Sequence, residues 1–423
     1  MKRLISVAVT GAILASTQAG ATVSDADFAQ LKADFASMAQ RLNLLEAENA
    51  NLRELSESAV SELEIAQTDL AVVKKANSAS SWAQRIKVNG DFRYRYEEID
   101  AQGKNRRDRN RIRARAALIA TTSDNTEVGL GIATGDDDPV STNQTLGGGG
   151  STKDLRLDLA YARWQATDNI YLTAGKFKNP FYRPQKTAFM WDGDYNPEGF
   201  AAGWSSDNLF ATFSGTWLES DSKNGNQLFS WGLQGGTKFA LGAATLTAGL
   251  GYYDIPTKGK NSFFGDNDEF SGNSFKCSNP SDTSSCAYTF NYEQVEAFAD
   301  LNFSLLDRPL SVFAQYVKNQ NADAYDVGWV AGANYGKASD KGTWQLGYHY
   351  QDLEKDAILG LTTDSDFAGG GTDGKGHRLT GTYGLNKRWK VGFTWFLDNE
   401  AGKGSLESPV SYDRIQIDTA FKY

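Results

Sequence analysis

Arginine recurs at every second position between Arg107 and Arg115. Arg107, Arg109, Arg111, Arg113 and Arg115 alternate with Asp108, Asn110, Ile112 and Ala114. In an extended chain a period of two places all five guanidiniums on one face. A guanidinium stays charged at any physiological pH, so such a row concentrates anions. Arg93 and Arg95 alternate with Phe92, Tyr94 and Tyr96, and Arg156 lies between Leu155 and Leu157. By parity they join the same basic wall. Asp91, Glu97, Asp158, Glu296, Asp300 and Asp418 share that parity and oppose it. The expectation is a net basic ladder with part of its field cancelled.

A second charged set lies in the segment 178–196. It contains Lys178, Arg183, Lys186, Asp192 and Asp194, with Glu198 just beyond. The segment is the best candidate for a constriction, and the competing reading is an ordinary surface loop. The other candidates are weaker. Cys277 and Cys286 are nine positions apart in a polar stretch, which in an exported chain indicates a disulfide. No His or third Cys lies near them, so no metal site is read there. Gly147 to Gly150 lacks the Lys-Ser/Thr and helix of a phosphate cradle, so no cofactor is expected. Asp136-Asp137-Asp138 lacks the glycine and glutamate register of a calcium loop and reads as solvated. His349 and His377 are the two histidines. His349 has inward parity and His377 outward parity, which speaks against an enzyme needing a Ser/His or Asp/His set.

The elements that hold these residues repeat with period two from Arg85 to Tyr423. Trp389, Val391, Phe393, Trp395 and Leu397 alternate with Lys390, Gly392, Thr394 and Phe396. Trp344, Leu346, Tyr348 and Tyr350 alternate with Gln345, Gly347, His349 and Gln351. A soluble sandwich would fill its apolar face with Leu, Ile and Val; rows of Trp and Tyr fit a lipid-facing wall. Sixteen candidate strands run from 85–98 to 411–423, the weakest being 126–134 and 197–205, so fourteen or eighteen is the expected error. Every second connection is short and carries Asp, Asn, Ser or Gly, as in Ser205-Ser206-Asp207-Asn208 and Leu241-Gly242. The connections between are longer, notably 135–152, 178–196, 255–289, 354–373 and 399–410. Short turns on one rim and long loops on the other predict an antiparallel transmembrane β-barrel over 85–423. The arginines then face the lumen, because each would cost roughly 2–4 kcal/mol in mid-membrane lipid.

Before the barrel, Phe28, Phe35, Leu42, Asn49, Ser56, Leu63 and Leu70 occupy one heptad position. Leu31, Met38, Leu45, Leu52, Ala59, Ala66 and Val73 occupy the other. Neither Gly nor Pro interrupts Val23 to Ser81. The pattern predicts an α-helical coiled coil over 24–76, self-associating rather than folded on its own barrel, and a linker over 77–84. An even strand count places both barrel ends on the short-turn side, which puts the coil in the periplasm.

At the start, Lys2 and Arg3 precede the apolar run Leu4 to Leu14, and Ala19-Gly20-Ala21 offers a cleavage site. Residues 1–21 are expected to be a signal peptide. Losing Lys2 and Arg3 from 43 basic residues leaves 41 against 52 acidic ones, a formal charge of −11. That balance excludes nucleic acid as a general partner. The mean hydropathy of −0.48 cannot separate a soluble chain from a barrel, because alternation averages out the apolar half.

Signal peptide, even-stranded barrel and terminal aromatic together resemble Gram-negative outer-membrane porins. Tyr423 and Phe421, with Ile417 and Ile415 on one face, look like the signal read by the barrel-assembly machinery. The coiled coil before the barrel resembles the "putative porin" families and, more distantly, the phosphate-selective porin group. The resemblance implies a homotrimer in outer-membrane lipid that passes small polar solutes; its substrate does not transfer with it, and the expectation of anionic solutes with a weak anion preference rests on the arginine ladder. The same resemblance implies that Asp192, Asp194 and Glu198 face the wall arginines across a constriction. The rival readings are a structural or adhesive barrel tethered by its coil and, more remotely, a barrel enzyme. An energy-coupled transporter would need a globular plug where the coil stands.

Overall fold

The computed structural model describes residues 24–402, 404 and 408–423. The expected signal peptide lies outside the described residues. The chain divides into two units, 1–82 and 83–423.

One helix, α1, spans Asp25–Gln84 over 60 residues, all but its last two in the first unit, about 90 Å at 1.5 Å per residue. Ser24 caps it, its Oγ accepting from the Asp27 amide at 3.2 Å. The stretch expected to be a linker, 77–84, is helical instead. Its Ser and Asn residues are modest helix formers, but Ala79 and Ala83 are strong ones and no Gly or Pro intervenes, so an established helix propagates through the stretch. The seam side chains Phe28, Leu31, Phe35, Met38, Leu42, Leu45, Leu52, Leu63 and Leu70 are each more than half exposed.

The second unit is a closed antiparallel barrel of sixteen strands. They are β1 Ile86–Ala101, β2 Arg107–Ser123, β3 Thr126–Thr134, β4 Leu155–Thr167, β5 Ile170–Lys176, β6 Glu198–Ser205, β7 Leu209–Glu219, β8 Leu228–Leu241, β9 Ala244–Ile255, β10 Tyr292–Leu305, β11 Arg308–Asn319, β12 Val327–Gly336, β13 Trp344–Leu353, β14 Gly374–Gly384, β15 Trp389–Ala401 and β16 Val410–Lys422. Each pairs with the next, and β1 closes on β16 from Asp91↔Lys422 to Ala101↔Tyr412. A two-residue piece, Gln144–Thr145, adds to the long-loop end of β2. The two weakest candidates are present as β3 and β6.

Tight turns fix the register. Leu306 and Asp307 both adopt positive φ, 50° and 58°, the two-residue turn whose twist matches a hairpin. On the outer wall Leu118, Leu130, Leu157, Phe200, Leu250, Leu346 and Ile417 are exposed, with Trp164, Trp204, Tyr383 and Trp389 toward the short turns and Trp217, Tyr316 and Trp329 toward the long loops. That is an apolar belt between two aromatic girdles. Asn89–Asp91 and Arg115–Ala117 stand beside the chain end, where Gly90 and Tyr423 exchange backbone hydrogen bonds.

The interior is not uniformly polar. Phe189, Met190, Trp191 and Tyr195 pack against Tyr253, Phe313, Val317, Val330, Leu353, Ala357 and Ile358 in one buried cluster. Loops, as well as strands, therefore carry an apolar core. A barrel too wide for its own side chains to fill can recruit its loops for that purpose.

Candidate functional site

Three long connections meet inside the barrel. The segment 177–197 leaves β5 and crosses the interior. At one side the Asp194 carboxylate accepts from Arg115 Nη1 on β2 at 2.8 Å. At the other, Tyr182 donates to Asp300 on β10 at 2.7 Å, and Gln185 accepts from Asn334 on β12 at 3.3 Å. Because β2 and β10 stand on opposite sides of the barrel, this loop spans its lumen.

The segment 354–373 also turns inward and is joined to the first. The Asp192 amide donates to the Thr362 carbonyl at 2.7 Å, and the Asp364 amide to that of Ala188 at 3.1 Å. Asp366 reaches the seam between the first and last strands, binding Arg95 at 2.9 Å and Arg414 at 2.8 Å. From the segment 135–154, Thr142 Oγ1 donates to Asp194 at 2.9 Å and Asn143 accepts from Arg93 at 2.5 Å. A fourth long loop caps these: Ser274 donates to Asp356 at 2.6 Å, and Asn273 to the Ile358 carbonyl at 2.8 Å. In it Cys277 and Cys286 form a disulfide across a short two-stranded ribbon.

The arginine face is densely paired. Asp91 holds Arg113 at 2.9 Å and Arg115 at 2.7 Å. Fully buried Glu97 binds Arg109, Arg111 at 3.6 Å and Arg414 at 2.5 Å. Asp418 takes the far side of Arg95 at 2.7 Å. Six guanidiniums (Arg95, Arg109, Arg111, Arg113, Arg115 and Arg414) thus meet five carboxylates (Asp91, Glu97, Asp194, Asp366 and Asp418), and Arg93, held by Asn143, brings the formal surplus to two positive charges.

Other candidates lie apart. Arg107 is exposed, and Arg156 is half exposed and 3.6 Å from Asp154. Of the three carboxylates expected to oppose the arginines, only Asp194 does. Asp192 turns its backbone to the segment 354–373, and Glu198 pairs with Lys176 at 2.9 Å on the strand wall. Lys178 lies 3.6 Å from Asp158, and Arg183 donates to the Trp191 carbonyl at 2.8 Å. Lys186 is exposed and makes no ion pair among the described residues. Tyr423 donates to the Arg115 carbonyl at 3.0 Å, and Phe421 stacks on Trp389 at 4.8 Å.

Electrostatics divide the loop carboxylates. Burial, reinforced by Asp364 and Asp194, raises Asp192 well above the ordinary carboxylate range. Burial alone would also raise Asp194, but Arg113 and Arg115 outweigh it and bring it below. Asp366 is held well below, since Arg414 and Arg95 overcome its burial.

Sequence reasoning missed Arg414, Asp364 and Asp366. Arg414 has the inward parity of Gln416 and Asp418, and that parity could have found it. The signal for the loop aspartates was the run Ala357-Ile358-Leu359-Gly360-Leu361, too apolar for a solvated loop. Among the described residues no cluster of His, Cys, Asp or Glu fits a metal ion.

A closed sixteen-stranded barrel with an inward-folded loop and a charged inner wall defines an outer-membrane channel protein. The family described as putative porin matches residues 101–291 and 281–423, and the chain belongs to it. Among solved structures it is similar to OprB of Pseudomonas putida, at 13% identity and a TM-score of 0.52, covering 82% of this chain and 97% of that one. It also matches OmpT of Vibrio cholerae, in a loop-deletion form, at 12% identity and a TM-score of 0.46, covering 80% and 100%. A mutant of Rh. blastica porin matches at 10% identity and a TM-score of 0.46, covering 80% and 100%. A search of curated proteins finds no match.

Proposed function

We propose that the protein is a porin for passive diffusion of small polar solutes and ions, weakly preferring anions. The observation that carries this reading is the arginine wall of β1, β2 and β16, whose guanidiniums outnumber the carboxylates that touch them. A narrow, low-dielectric passage focuses such a surplus, whereas charges more than a Debye length of about 8 Å away in solvent are screened. The pairing explains why the preference is weak. His349 pairs across strands with Arg378 on the inner face, while His377 bonds Tyr348 on the outer; this supports a channel rather than an enzyme. The working form is a homotrimer joined through barrel walls and through a periplasmic coiled coil of α1, whose exposed heptad seam supports self-association. Tyr423 and Phe421 are the assembly signal. Single-channel recording of the purified full chain in planar bilayers tests the function. Stepwise open-channel currents with a reversal potential on the anion side are expected. The apolar cluster that occupies part of the lumen favours a second reading, a structural barrel closed to solutes. A silent bilayer with correctly folded protein would establish that reading instead.

A further inference from the structure

The heptad frame of α1 also fixes what flanks its seam. With Phe28 at a and Leu31 at d, position g holds Asp27, Arg41, Glu48, Leu55 and Asp69, and position e holds Lys32, Glu46, Arg53, Val60 and Lys74. In two parallel helices at equal height, g of one lies beside e of the following heptad on its neighbour. That geometry sets Asp27 against Lys32, Arg41 against Glu46, Glu48 against Arg53 and Asp69 against Lys74. The remaining neighbours are Leu55 with Val60, Asp34 with Ala39 and Glu62 with Gln67, so no like charges meet. Leu55 and Val60 are each more than half exposed on the single chain.

These charges are not placed to serve their own helix. An opposite charge three or four residues away would do that, yet of the eight in the four pairs only Arg53 has one, Glu57. All eight are exposed and form no ion pair among the described residues. Nor do they suit another register. Sliding one helix by a heptad sets Asp34 against Glu46 and Arg41 against Arg53 on one flank. On the other flank it sets Glu48 against Glu46. Only Glu62 with Lys74 and Asp34 with Lys32 then attract. The slide also places Asn49 against Leu42, and an unmatched polar group in a buried seam is costly.

We propose that α1 binds α1 of other copies of this chain, parallel and in register, with these four charge pairs fixing direction and alignment. Both are added to the self-association of the coil, on which this rests. At equal height Asn49 meets its own equivalents, polar against polar. Ser56 and Ala59 thin the seam just beyond it, and Leu55 and Val60 close over that thin stretch from the flanks.

Cysteine substitution in the full chain tests the arrangement, since Cys277 and Cys286 already pair with each other. Leu31→Cys and Leu45→Cys, made separately and oxidised in mild detergent, should each give disulfide-linked dimers. Ala47→Cys, on the side of the helix away from the seam, should not. An antiparallel pair can bring together residue 31 of two copies or residue 45, but not both. Arg41→Glu should slow linking at Leu45→Cys about fivefold, and Glu46→Arg added to it should restore the rate. Failure of either seam cysteine to link overturns the proposal, pointing to an antiparallel pair or to another occupant of the seam. So does linking of Ala47→Cys as fast as Leu45→Cys, or a double reversal no better than the single one. Bilayer recording of the same samples keeps the two readings apart. Current without linking would keep the channel and lose the paired coil, and linking without current would do the reverse.

Discussion

Arg115 and Asp194 join strand to loop: Nη1 of Arg115 donates to Asp194 at 2.8 Å, while Nη2 of the same guanidinium holds Asp91 on the neighbouring strand at 2.7 Å. One arginine therefore ties β1, β2 and the lumen-crossing loop. The charges that would select ions also hold the lumen-crossing loop in place.

Selectivity should respond to the ladder, but modestly. Replacing Arg109, Arg111 and Arg113 by serine together removes three charges, leaving Glu97 with Arg414 and Asp91 with Arg115. The anion-to-cation permeability ratio is expected to fall by about threefold or more, the effect of a potential change on the order of one kT, crossing to cation preference. Reversal potentials in a salt gradient measure it. An unchanged potential would remove the ladder from the mechanism.

Asp366 should be the most costly loop residue to lose. Asp366→Ala leaves Arg95 and Arg414, both almost fully buried, with one fewer carboxylate. Breaking one side of a buried ionic cluster costs about 3–5 kcal/mol. A lower temperature of heat-modified migration and new protease sensitivity within 354–373 are expected, with the barrel strands still protected.

Acidification should act with opposite signs on two loop carboxylates. Asp192 has a raised pKa in the folded protein, so between 3.8 and that higher value the native state binds more protons than the unfolded one. Stability from this group is present at low pH and falls as pH rises through that window. Asp366 is lowered, so its contribution is complete above 3.8 and is lost as pH drops through its depressed value. Thermal midpoints against pH for the wild type and Asp192→Asn check this. The variant should lose the fall in stability that begins above pH 3.8 while keeping the acid collapse below it.

Deleting 24–80 should leave a folded barrel and weaken the trimer. The seam from Phe28 to Leu70 is exposed on a single chain, and pairing it in a coil would bury several Leu and Phe side chains per helix at about 1.5–3 kcal/mol each when fully covered. Chemical cross-linking in mild detergent should give trimers for the full chain and a lower dissociation temperature for the deletion. A monomeric full chain would exclude the trimer.

Much of the barrel is legible in the amino-acid sequence because its signals are local. Alternation such as Trp389 to Leu397 and turns such as Ser206-Asp207-Asn208 depend only on neighbouring residues, and they set strand number and order. Period two also places Arg109 to Arg115 on the inner face. What alternation does not encode is contact between segments far apart in the chain. Asp366 meets Arg95 across 271 positions, and nothing near either residue announces the other. The inward course of 354–373 is written in its apolar run, yet a long connection between strands ordinarily faces water. The helical 77–84 departs from expectation for a simpler reason: small polar residues do not break a helix, they merely fail to strengthen it.

The position of Asp366 has a consequence for how the protein is made. It clasps Arg95 on the first strand and Arg414 on the last, so its binding site comes into being only when the two ends of the sheet meet. A sheet with every hairpin formed but the seam still open would offer this loop no complete anchor, and through the Thr362 and Ala188 carbonyls the lumen-crossing loop would lack its partner as well. The lumen-crossing loop keeps its own anchors on β2 and β10 in either case, so it is the segment 354–373 whose docking waits for closure. Sealing the wall and completing the anchor of 354–373 become a single step.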